Sequence, residues 1–145
     1  MMKKHYFFIW LLFSFWVITI AVVFNGPTSE TVNTLTLNSG PLDLDVKIII
    51  TSDTSLALRY VRSNLDSTVT AEDFDSRGTT FPSIDGKSPI IWLPNADDAA
   101  VVQHELFHAT IDVMKWGGVV LNEDTEEVYA YELQYLTAQF NKQIK

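Results

Sequence analysis

At 145 residues the chain has room for one domain, and with no cysteine it excludes both disulfides and thiolate-held metal. Eighteen acidic residues against ten basic give a formal net charge of −8. That balance argues against a nucleic-acid partner, whose phosphates need basic surface, and leaves His, Asp and Glu as the only metal ligands on offer.

The N-terminal segment reads differently from the rest. Lys3 and Lys4 precede Tyr6 to Phe24, an uncharged stretch interrupted only by Ser14 and Thr19. Its length suits a helix crossing the bilayer core and exceeds a usual signal-peptide core. Bulky Val23 and Phe24 also stand where a cleavage site needs small residues. Residues 1–24 are therefore expected to be a retained transmembrane anchor, with residues 6–24 in contact with lipid. The two lysines before the span, and the acidic Glu30, Asp43 and Asp45 after it, place the N-terminus in the cytoplasm and the C-terminal domain outside it.

Residues 25–40 (NGPTSETVNTLTLNSG) are rich in Thr, Ser, Asn and Gly and read as a linker, with a short strand possible at Val32 to Leu37. The domain proper is expected over 41–145. Val46 to Thr51 (VKIIIT) is a β-branched run that suits a buried strand. Asp53 or Ser55 can cap a helix through Leu56 to Leu65. Thr79 to Ile84 and Ser88 to Leu93 flank Asp85-Gly86, a hairpin signal. Pro89 and Pro94 bracket Ile90 to Leu93, which predicts an edge strand. A helix opened by Asn95 or Asp97 runs to Gly117-Gly118, and a second starts near Asp124 and reaches about Lys142. The order predicts a small α+β domain: a sheet with a hairpin edge strand, a motif helix against it and a C-terminal helix behind.

The motif helix carries His104-Glu105-Leu106-Phe107-His108, an H-E-x-x-H pentad. Positions i and i+4 project from one helix face, so both imidazoles can reach one zinc ion, while the intervening glutamate lies where a general base for a water is needed. The competing reading is a chance match on an ordinary amphipathic helix, and this pentad is rare by chance. A catalytic zinc site uses three protein ligands. Positions 111 and 114 are Ile and Met, and His5 lies in the anchor, so the third ligand is expected to be a carboxylate. The last helix opens with Glu123, Asp124, Glu126 and Glu127. Periodicity favours Glu126, which lies nearer the apolar stripe of Tyr129, Leu133, Leu136 and Phe140; the D-x-x-E spacing of Asp124 and Glu127 also fits a plain capping box.

HELFHAT followed by EEVYAYELQYL, and preceded by PIIWLP, resembles a gluzincin-type zincin with H-E-x-x-H and a downstream E-x-x-A, and more closely the small phage-type proteins with H-E-x-x-H and E-x-x-A-Y segments. The similarity spans Thr79 to Phe140; the N-terminal anchor departs from the pattern. The resemblance implies a minimal zincin-like fold, Zn2+ as cofactor, His104, His108 and Glu127 as its ligands, and Glu105 as general base.

Two further residues are candidates. Asp112, four residues after His108, can accept the second imidazole N–H or simply face solvent. Tyr131, four residues after Glu127, can donate to a developing oxyanion or be an ordinary buried tyrosine. Trp92 reads as packing. The expected function is a membrane-anchored zinc metallopeptidase acting on a peptide or protein substrate. The alternative is a zinc-binding, non-hydrolytic phage or envelope interaction protein.

Overall fold

Two apolar runs, Val46–Ile50 and Ile90–Leu93, form the centre of the sheet. In the computed structural model, which describes residues 32–145, they are the parallel neighbours β2 (Val46–Ile50) and β4 (Ile90–Leu93). Flanking them are β1 (Asn33–Leu37), antiparallel to β2, and β3 (Thr79–Phe81), antiparallel to β4, so the sheet order is β1-β2-β4-β3. The expected membrane span at 6–24 lies outside the described residues, and among those described no helix is long and apolar enough to cross a membrane.

Both central strands are buried on two faces, which is why they read as continuous apolar runs rather than alternating ones. Val46, Ile48, Ile91 and Leu93 point to one side, where they pack with α2 (Ala99–Trp116) and α3 (Glu126–Gln143) through Val102, Leu106, Ala109, Val113, Leu136 and Phe140. Ile49, Ile90 and Trp92 point to the other, against Ala57 and Val61 of α1 (Thr54–Asn64). The result is three layers with the sheet in the middle: an α+β domain with a four-stranded mixed sheet and three helices.

Two sequence expectations change. The Ile90–Leu93 strand is interior, not an edge. Its prolines fall just outside the pairing: the Pro89 carbonyl accepts the Lys47 N–H at 3.0 Å, and Pro94 follows the last paired residue. Neither removes a ladder donor, so the bracket marks the strand's ends and not its place in the sheet. The edge on that side is β3. The second half of the linker is also part of the domain, because β1 pairs along its whole length with β2 from Asn33↔Ile50 to Leu37↔Val46.

Local signals act as expected elsewhere. Asp53 caps α1 by accepting the Leu56 N–H at 3.0 Å. Asp85 (φ 52°) and Gly86 (φ 76°) make the positive-φ turn between β3 and β4, closed by the Ile84↔Lys87 bridge. The N-cap of α2, however, is Asp98 and not the expected Asn95 or Asp97, because the Asp98 side chain accepts from the Ala100 and Val101 N–H groups. Past Gly117, Gly118 at φ 74° lets its own N–H reach the Lys115 carbonyl and the Val119 N–H reach that of Met114, a Schellman ending.

Candidate metal centre

Helix α2 buries Val102, Leu106, Ala109 and Val113, so 3.6-residue periodicity turns His104 and His108 to its exposed side. Their Nε2 atoms stand 3.1 Å apart, with ring centroids at 4.7 Å and planes at 80°. Two nitrogens bound to one tetrahedral zinc at about 2.0–2.1 Å would be separated by roughly 3.3 Å. The pair therefore already has the spacing that one ion requires, and without an ion one ring N–H can donate to the other ring.

Glu105 lies between them and is only 6% exposed. The Thr80 hydroxyl of β3 donates to its Oε2 at 2.7 Å and lies 3.0 Å from the Glu105 carbonyl. Gly78 brings the chain in close beneath this contact. A Cβ there would stand 2.9 Å from Val101 Cγ1 and 3.2 Å from Glu105 Cγ. Two adjoining clefts, of about 290 and 470 Å³, open here and share Asp75, Gly78, His104 and Glu105; the larger also takes in Thr80, His108 and Asp112. Asp73 lines the larger cleft, and the Thr70 backbone N–H, then the Thr70 hydroxyl, hold its carboxyl below the usual range, keeping it ionised.

The remaining candidates are placed as follows. Asp112 accepts the Ser83 N–H at 2.6 Å, which ties α2 to the segment after β3. Glu126 and Glu127 stand exposed on the first turn of α3. Among the described residues, no group of three or more His, Cys, Asp or Glu side chains is positioned to hold a metal. The structure thus brings His104, Glu105 and His108 to one cleft, and Glu127 lines neither cleft. No capping box forms between Asp124 and Glu127: the N-cap is Thr125, whose hydroxyl donates to the Val120 carbonyl at 2.6 Å. Tyr131 is 67% exposed and lines neither cleft. Trp92 is packing, buried, with its Nε1–H donating to the Thr51 carbonyl at 2.9 Å.

Sequence reasoning passes over Thr80 and Gly78. A threonine in a short strand and a glycine before it carry no motif, and only the strand order brings them to the pentad. Glu132 is a third omission. Its Oε1 is buried without a hydrogen-bond partner, and burial pushes its carboxyl above the ordinary range. The chain matches no protein-family model, no curated protein and no solved structure.

Proposed function

We propose that the protein is a zinc-dependent metallopeptidase of minimal size, anchored in a membrane through residues 6–24 with its domain on the extracytoplasmic side. The 3.1 Å approach of the His104 and His108 Nε2 atoms, on either side of a buried glutamate, carries this reading. His104 and His108 would hold the metal, with Glu127 as third ligand from the E-x-x-A-Y resemblance. Zinc bound there supplies a Lewis acid for the scissile carbonyl and for the attacking water.

The chain's own groups do the rest. Glu105 takes the proton of the water and returns it to the leaving amine, a shuttle that needs one carboxylate oxygen turned to the cleft. An extended peptide would pair with the outer edge of β3, which borders the same cleft as the histidines. The edge-strand role expected of Ile90–Leu93 passes to β3, which is the outer strand on that side among the described residues.

The test is zinc stoichiometry and peptide turnover with full-length protein in mild detergent. A truncation starting at residue 38 would remove β1 and one rim of the sheet. Glu105→Gln is expected to keep one zinc per chain and to lose hydrolysis by about 10²–10⁴-fold. Full activity in that variant would remove Glu105 as the base.

A second reading, a zinc-binding interaction module without hydrolysis, draws on α3. Val128, Tyr131 and Tyr135 are exposed large apolar residues spaced three and four apart, so they form a stripe on one helix face. Under that reading the wild type binds zinc and cleaves nothing in a mixed-sequence peptide library.

A further inference from the structure

Glu105 faces a difficulty that the pentad alone does not solve. A general base must present a carboxylate oxygen in one direction, and a glutamate side chain has three rotatable bonds with which to lose it. We propose that Thr80 is a positioning residue for Glu105: its hydroxyl, on the edge strand, fixes Oε2 so that Oε1 is left for the cleft. The proposal rests on the metallopeptidase reading for its catalytic consequence, though not for the contact itself.

Several observations converge on it. The hydroxyl has one hydrogen and two acceptors in reach, the Glu105 Oε2 at 2.7 Å and the Glu105 carbonyl at 3.0 Å. The shorter contact has the length expected of an O–H donor to a carboxylate, so the hydrogen goes to Oε2. Thr80 is 25 residues from Glu105 in sequence, and two features of the fold make the contact possible. Gly78 lets the chain pass at a distance where a Cβ would meet Glu105 Cγ at 3.2 Å. The pairing of Phe81 with Ile90 turns Phe81 into the α1-side core, and alternation then turns Thr80 to the α2 side. The strand that borders the cleft thereby also aims the base, which couples peptide docking on β3 to the orientation of Glu105.

The experiment uses the full-length protein loaded with zinc, and compares wild type with Thr80→Val, Thr80→Ala and Thr80→Ser. Two variants lack the hydroxyl and differ in size; the third keeps the hydroxyl and loses a methyl. The first readout needs no turnover. The 13C carboxyl resonance of Glu105, assigned by its loss in Glu105→Gln, is expected to move in Val and Ala and to stay near its wild-type position in Ser. The second readout is kinetics on the peptide that wild type cleaves fastest from a mixed-sequence library. Loss of the hydroxyl is expected to lower kcat by roughly 10–100-fold, the scale of one hydrogen bond to a charged group, with KM and zinc stoichiometry unchanged. Ser is expected to restore kcat to within about threefold of wild type.

Should one variant fail to fold, the other two still separate the hydroxyl from shape. An unmoved Glu105 resonance in the hydroxyl-free variants overturns the proposal, as does a Ser variant that behaves like Val. A resonance that sorts by the hydroxyl in a protein that cleaves nothing sinks the peptidase reading and leaves Thr80's hold on Glu105 standing.

Discussion

The two segments that carry the carboxylates of the proposed centre are built to different degrees. On the β3 side, Glu105 is buried, its carboxylate is bonded to Thr80, its stem passes against Gly78, and Asp112 is tied to the Ser83 N–H. On the α3 side, the first turn presents Glu126 and Glu127 to solvent, and the bonds nearby belong to the Asn122–Thr125 turn and to the Tyr129 hydroxyl, which donates to the Val119 carbonyl. Glu105 is thus organised by the fold itself, whereas Glu126 and Glu127, the carboxylates from which the proposed third ligand would come, stand in solvent. Metal ligands often reach their geometry only when the ion binds, because binding supplies the free energy that orders them. Under the proposed function, that ordering step would fall to the α3 turn and not to the β3 side.

The sharpest way to break the contrast is to remove each carboxylate of the α3 turn in turn. Glu127→Ala is expected to weaken zinc binding by more than roughly 100-fold, beyond the 10–100-fold that loss of an outer partner costs. Glu126→Ala is expected to stay within a few fold of wild type. Competition titration against a chelator of known affinity reads both. The reverse ranking would make Glu126 the ligand, in line with its position nearer the apolar stripe. Equal, small effects would mean that neither carboxylate completes the site.

A smaller effect tests the organised side. Gly78→Ala places a methyl 2.9 Å from Val101 Cγ1 and 3.3 Å from Leu93 Cδ2, so the Val101 side chain or the backbone at residue 78 must shift. The overpacking is expected to cost about 1–3 kcal/mol, seen as a lower midpoint in urea unfolding. If the β3 side positions Glu105, the same variant also loses kcat, while zinc stoichiometry is retained. A variant as stable as wild type would show that the approach of β3 to α2 is not tight.

How much of this was legible in the sequence follows from the range of the forces involved. Caps and turns act within a few residues, so Asp53, the Asp85-Gly86 turn and the glycine end of α2 are readable from the chain. The helix placing His104 and His108 on one face is equally local. Strand order is not. Ile90-Ile91-Trp92-Leu93 has no polar alternation, which is the composition of a strand covered on both faces, yet the flanking prolines point to an edge. Only the pairing with β2 decides between them. The same holds for β1, whose Thr and Asn content fits a tether as well as it fits an outer strand with a half-solvated face. The Thr80–Glu105 contact depends on that strand order, and so it carries no sequence signal at all.

The smallest expected effect concerns a carboxyl that neither segment uses. Glu132 lies seven residues before Gln139 on α3, and helical spacing puts the two on one face. Gln139 bonds both the Asn38 N–H and the Asn38 carbonyl, so this face of the helix looks toward β1. Burial raises the Glu132 carboxyl above its ordinary value, and Oε1 has no partner among the described residues. The folded state therefore binds this proton more tightly than the unfolded chain does. Stability from this group is fully present below the ordinary glutamate value and is lost as pH rises through the higher folded-state value. Glu132→Gln removes the titration and keeps the shape. Its melting temperature relative to wild type is expected to rise as pH goes from below the ordinary glutamate value to neutral, and zinc affinity at neutral pH is expected to be unchanged. A pH-independent difference between the two proteins would show that the carboxyl is solvated in the folded state. A loss of zinc would instead move Glu132 into the metal site and erase the distinction between an ordered base and an unordered ligand, because a half-buried carboxylate would then complete the centre.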